Sequence, residues 1–75
     1  MVQKPMDMLD SSLDQVVLVK LRGGRQFRGL LRGYDVHMNI IIDDAQELNG
    51  EGSLSFETAI IRGDNVVFIS PSDKR

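Results

Sequence analysis

Four side chains in this 75-residue sequence could do chemistry together: His37 and Asn39 in one turn-like stretch, Arg62 and Asp64 in another. A flat imidazole and a flat guanidinium can sandwich a nucleobase, an arrangement that contributes on the order of 1 to 3 kcal/mol per base. The Asn39 carboxamide carries a donor beside an acceptor, and uracil presents the matching pair on its edge. Asp64 could orient Asn39, or accept from a ribose hydroxyl or from the base. Each residue alone has a plainer reading. His37 would be an exposed loop histidine, Asn39 a turn residue bonded to its own backbone, and Arg62 one half of a surface ion pair. The set outweighs its members only if the chain brings the two stretches to one place.

The elements around them can do that. Pro5 suits a first helical position, and Met6, Met8, Leu9 and Leu13 recur at helical spacing, which predicts a short amphipathic helix over about 5–13. From Gln15 the chain changes to β-branched and aliphatic runs, predicting strands over 16–21, 27–34, 38–48, 54–61 and 66–69. Gly23 with Gly24, the stretch around Asp35, residues 49–52 and residues 63–65 supply turn chemistry between them. The order is an antiparallel meander. Gly29 and Gly33 interrupt the second strand, where glycine marks a sharp bend or a close backbone approach. The expected fold is mostly β, a short N-terminal helix followed by a strongly bent five-stranded antiparallel barrel of SH3-like or OB-like size. In such a meander the turns after the second and fourth strands can lie at one end. Residues 71–75 read as a polar tail.

Size and composition narrow the function. One domain over 1–75 is expected, and a domain this small is marginal alone. With no cysteine and a single histidine, neither disulfides nor a structural metal can support it, which leaves oligomerisation. The fourth and fifth strands carry apolar residues on both faces, an aggregation hazard unless their edges pair. Pairing edge to edge between subunits is head-to-tail and closes into a ring if the rotation between neighbours allows. The formal net charge is −2, from 9 basic and 11 acidic residues, so the chain as a whole does not attract a phosphate backbone. The basic residues are nevertheless concentrated at Lys20, Arg22, Arg25, Arg28 and Arg32 and could make one surface basic. Asp43 and Asp44 alternate across a strand and cannot share a proton or metal. The tripeptide of Arg62, Gly63 and Asp64 is that of integrin ligands, but the chain lacks secretion features. Nothing in the spacing builds a catalytic triad or a cofactor or metal site, so a non-enzymatic protein is expected. No membrane span or signal peptide is apparent, and a cytoplasmic location is expected.

The string GRQFRGLLRGYDVHMNIII, followed after a gap by AIIRGDNVVFIS, resembles the paired motifs of the Sm and Sm-like (LSm) RNA-binding proteins. Gly24, Gly29, Asp35, Met38 and Asn39 match the first motif, over about 15–48. Ile61, Arg62 and Gly63 with the following apolar run match the second, over about 53–70. The resemblance implies an Sm-type barrel, a ring of six or seven subunits, and single-stranded uridine-rich RNA, not DNA, bound around its pore. By position it implies that His37 and Arg62 stack the base, Asn39 reads its edge, Asp64 supports that contact, Gly63 permits the turn and Asp35 braces the loop. Met38, Tyr34 and Lys4 are weaker candidates for RNA contact. The second motif lacks the lysine-histidine pair of the bacterial Hfq branch, and the minimal length is most like the archaeal members, which implies a homoheptamer ahead of a hexamer. A role in RNA processing, ribonucleoprotein assembly or RNA chaperoning follows from the same resemblance.

Overall fold

The computed structural model describes residues 5–49 and 52–72. Lys4 lies outside them. A helix α1 (Pro5–Ser11) precedes five strands: β1 (Val16–Leu21), β2 (Gln26–Tyr34), β3 (Ile40–Asn49), β4 (Gly52–Ile61) and β5 (Val66–Pro71). The helix ends before residue 13 because the chain turns: the Leu13 N–H donates to the Asp10 carbonyl at 3.3 Å and Asp14 takes φ 64. The third strand starts at Ile40, two residues later than the hydrophobic run suggests, because Met38 sits at φ 67. Among the described residues no helix is long and apolar enough to cross a membrane.

The strands form one antiparallel sheet in the order β4-β3-β2-β1-β5. Alternation sets its inner face: Val17, Val19 and Leu21 of β1 and Phe27 and Leu31 of β2 are buried while their neighbours are partly exposed. Ile40, Ile42 and Ala45 of β3, Ile61 of β4 and Leu9 of α1 complete this core. The helix therefore caps the barrel through one leucine, with Leu13 packed behind it.

The sheet bends where glycine was expected to bend it, for different reasons at the two positions. Arg28 pairs with Gln46 and Leu30 with Asp43, so Asp44 and Ala45 together oppose Gly29 in a bulge, and Asp44 takes φ 52. A Cβ on Gly29 would collide with Ile42 Cγ2 and lie 2.9 Å from the Asp43 carbonyl oxygen. At Gly33 it would meet only Ile41 Cδ1 at 3.7 Å, ordinary contact, so the second register shift does not require glycine. The bulge also breaks the alternation expected for Asp43 and Asp44. Asp43 is engaged, accepting from Thr58 Oγ1 at 2.9 Å and pairing with Arg32 at 3.2 Å.

Beyond the bend, strict period-two reasoning fails on β4. Phe56, still 40% exposed, opposes the buried Ala45 with its ring centroid 6.3 Å from that of Phe27, whereas Ile60 opposes the exposed Ile41 and is itself 73% exposed. Strands β4 and β5 are the two sheet edges, and both carry exposed apolar groups: Leu54, Phe56 and Ile60 on one, Val67 and Phe68 on the other.

Candidate nucleic-acid interface

The turn between β2 and β3 is organised by one carboxylate. Asp35 Oδ1 accepts from the backbone N–H of His37 at 2.8 Å and of Asn39 at 3.1 Å, and Oδ2 accepts from Asn39 Nδ2 at 3.0 Å. Backbone bonds close the turn: Met38 N–H to the Asp35 carbonyl at 3.0 Å and Asp35 N–H to the Asn39 carbonyl at 3.1 Å. The Asn39 side chain, above the other donors, holds the Asp35 carboxyl below its ordinary value, because each bond is made to the charged form. Asp35 thus occupies the bracing position expected of it.

The turn between β4 and β5 is a short 3-10 segment, Gly63–Asn65, with the Asn65 N–H bonded to the Arg62 carbonyl at 3.0 Å. It is joined to the first turn by one hydrogen bond, from the Gly63 N–H to Asn39 Oδ1 at 2.7 Å. The turns touch so closely that a Cβ on Gly63 would collide with the His37 carbonyl oxygen and lie 2.9 Å from the Met38 carbonyl carbon. Gly63 is needed for this approach, not for its own dihedral angles, which differs from the tight-turn role expected of it. Arg22, in the turn between β1 and β2, reaches the same segment: its Nε donates to the Asp64 carbonyl at 3.0 Å.

The structure therefore brings His37, Asn39, Arg62, Gly63 and Asp64 to one open cleft of about 920 Å³, with Asp35, Met38 and Tyr34 also on its wall. Asn39 is held by Asp35 and Gly63, not by Asp64. Those two bonds use one N–H and one lone pair of its carboxamide, so one donor and one acceptor remain for a ligand. Asp64 instead faces Arg62, Oδ2 to Nη2 at 3.4 Å, with both side chains largely exposed. A pair so long and so open contributes little and leaves Arg62 able to lie against a flat ligand. His37 is exposed.

The weaker candidates divide. Met38 and Tyr34 pack against the core. The Tyr34 hydroxyl donates to Asp10 Oδ1 at 3.2 Å, tying β2 to α1, and burial first, then the Asp10 charge, pushes its pKa up. Three wall residues carried no signal of ligand contact in the sequence: Ile40, Ile41 and Ile60. They read as strand core, and only the exposed position of the last two on the bent sheet separates them from it.

A helix-capped, bulged five-stranded barrel, with the turns after its second and fourth strands joined into one cleft, defines the Sm class of small β proteins. The chain belongs to the LSM domain family, whose model matches residues 7–71. An snRNP Sm-like protein of Methanosarcina acetivorans is 51% identical over 72 residues, which cover 95% of this chain and 100% of the relative. The fold is similar to that of a Pyrococcus abyssii Sm protein in complex with a uridine heptamer, with a TM-score of 0.88, 45% identity and coverage of 93% of this chain and 100% of the other. It is also similar to a heptameric archaeal Sm protein, with a TM-score of 0.85, 41% identity and coverage of 88% and 97%. The expected likeness to archaeal members is met by these relatives.

Proposed function

We propose that this chain assembles into a homomeric ring, a heptamer ahead of a hexamer, and binds single-stranded uridine-rich RNA with one base per subunit. The observation that carries the reading is the Asn39 carboxamide. It is pinned by Asp35 and Gly63 yet keeps one donor and one acceptor, on the wall of a cleft shared with an exposed imidazole and an exposed guanidinium. His37 and Arg62 stack the base between them. Asn39 matches the uracil edge, where cytosine, with its donor and acceptor reversed, does not fit a carboxamide held in one orientation. Asp64, beside Arg62, accepts from the ribose hydroxyl or the base.

The ring follows from the edges. The outer edges of β4 and β5 have no strand partner among the described residues, and pairing β4 of one copy with β5 of the next satisfies both. The heptameric relative and the uridine heptamer bound by another relative support this assembly and ligand. Repeating a one-base site around a ring converts modest affinity into tight binding through effective concentration. The role is binding rather than catalysis, in RNA processing or ribonucleoprotein assembly in the cytoplasm. Fluorescence anisotropy with labelled oligouridine and oligocytidine tests it. Oligouridine should bind far tighter, and Asn39→Ala or Arg62→Ala should abolish the difference. Equal binding of all homopolymers, unchanged in both variants, refutes the base grip.

A further inference from the structure

We propose that Arg22 is a positioning residue of the base cleft, a clamp that holds the Arg62 to Asp64 segment in register with Asn39. The inference rests on the base-binding reading above.

The local chain geometry explains why a side chain so far away in sequence arrives there. The β1 and β5 pairing shifts at its end: Lys20 opposes Phe68 but Leu21 opposes Val66, leaving Val67 as the extra residue. That shift draws the end of β1 against the start of β5, one residue beyond the 3-10 segment Gly63–Asn65. Gly23 at φ 83 and Gly24 at φ 91 then turn the chain back at once, in a conformation that residues with side chains seldom adopt. Arg22 is left at the corner, and its Nε donates to the Asp64 carbonyl at 3.0 Å.

The carbonyls of the second loop show what this bond does. The Arg62 carbonyl accepts from the Asn65 N–H at 3.0 Å, and that of Gly63 accepts from the Val66 N–H, so both are satisfied within the loop. The Asp64 carbonyl has Arg22 as its side-chain donor among the described residues. The loop is also held through the Gly63 N–H by Asn39 Oδ1. Between the strand pairs of Ile61 with Ile40 and Val66 with Leu21, the segment bearing Arg62 and Asp64 is thus fixed by Asn39 and by Arg22. Losing Arg22 removes one of these two ties, and Arg62 then samples positions out of stacking register with His37.

The competing role for a cation beside an RNA cleft is a direct phosphate contact, and the two roles separate cleanly by experiment. Uridine, a nucleoside without phosphate, is titrated into the intact ring by calorimetry for the wild type, Arg22→Gln and Arg22→Lys. Oligouridine affinity is measured in parallel across a salt series. Native mass and thermal midpoint check that each variant ring is assembled. A clamp predicts that Arg22→Gln weakens uridine itself by roughly five- to tenfold, the scale of one lost hydrogen bond, with the salt slope unchanged. It also predicts a loss in Arg22→Lys, which keeps the charge but not the Nε donor on its rigid plane. Unchanged uridine affinity with a salt slope lowered by about 0.7 per contact would assign Arg22 to phosphate and overturn the clamp. No change in either quantity would make Arg22 a bystander and overturn it equally. Should the wild-type ring fail to bind uridine, the base-site reading falls first, a result distinct from failure of the clamp.

Discussion

Replacing Gly63 by alanine isolates the contact that joins the two turns. Gly63 is not among the residues with positive φ, so alanine meets no backbone strain there and the whole effect is steric. Its Cβ would collide with the His37 carbonyl oxygen and lie 2.9 and 3.1 Å from the carbonyl carbons of Met38 and His37. These are backbone atoms of a turn whose His37, Met38 and Asn39 N–H groups are all bonded to Asp35, so they cannot yield as a flexible side chain would. Overpacking of this kind costs about 1–3 kcal/mol. If the turns separate to relieve it, the 2.7 Å bond from the Gly63 N–H to Asn39 is lost, a further contribution of about 1 kcal/mol. The expected destabilisation of about 2–4 kcal/mol per subunit is a large share of the stability of a small domain. Urea denaturation reads it, at fixed protomer concentration because assembly is linked to folding. Oligouridine affinity should fall with it, since Asn39 loses one of its two supports. Two further glycines calibrate the result. Gly29→Ala, with Ile42 Cγ2 and the Asp43 carbonyl in the way, should also destabilise, while Gly33→Ala, 3.7 Å from Ile41 Cδ1, should stay within about 0.5 kcal/mol of wild type. If Gly63→Ala behaves like Gly33→Ala and binds oligouridine normally, the two turns are not coupled and the account of the cleft is wrong.

Asp35→Asn should weaken oligouridine binding, because an amide at Oδ2 would set a donor against the Asn39 Nδ2 donor and free the carboxamide to rotate. Since the Asp35 carboxyl is held below its ordinary value in the folded protein, its contribution to stability is present above the unfolded value and is lost as pH falls through the folded one. Acid titration of unfolding should therefore be flatter in Asp35→Asn, and identical curves would contradict the bracing role. His37→Phe should keep most of the stacking that His37→Ala loses, roughly 1 to 3 kcal/mol per base, with larger fold-changes for a seven-nucleotide oligouridine than for uridine because the loss repeats at every site. Placing aspartate at Ile60 or Phe68, exposed on opposite sheet edges, should shift the native mass from ring to monomer, and an intact ring in both variants would place the subunit interface elsewhere.

Much of the site was legible because its geometry follows from chain topology. A meander of short strands with glycine, aspartate and asparagine at its turns can bring residues 37–39 and 62–64 together, whatever the details of packing. What escaped the sequence depends on dihedral angles that residue type does not announce. A methionine gives no hint that it will take φ 67, yet that value at Met38 lets both oxygens of Asp35 reach into the turn and makes Asp35, rather than Asp64, the partner of Asn39. On β4 strict alternation would put Phe56 and Ile60 on one face, yet Phe56 comes within 6.3 Å of the Phe27 ring while Ile60 stays 73% exposed. Gly29 and Gly33 look alike in the sequence, and only the closeness of β3 distinguishes the indispensable one from the replaceable one. Arg22 read as one member of a basic cluster because the register shift that delivers it to Asp64 is a property of paired strands.

That basic cluster bears on how an acidic chain binds RNA. Arg25 is committed to Glu47 by two bonds, at 2.7 and 3.0 Å, which hold the Glu47 carboxyl below its ordinary value, and it also lies 5.3 Å from the centre of the Phe27 ring. Arg32 is shared between Asp14 at 2.9 Å and Asp43 at 3.2 Å, and Arg22 is bonded to a carbonyl. These three of the five basic residues between positions 20 and 32 serve the barrel, and their charge is not free for phosphate. Arg62 in the cleft faces Asp64, which offsets its charge without burying it. The net charge of −2 per chain is repeated in every subunit of a ring, so long-range attraction to RNA is not the source of affinity. On the proposed reading, short-range stacking and edge matching supply it. Each such contact is modest, which makes the proposed ring closure through the β4 and β5 edges a condition of tight binding.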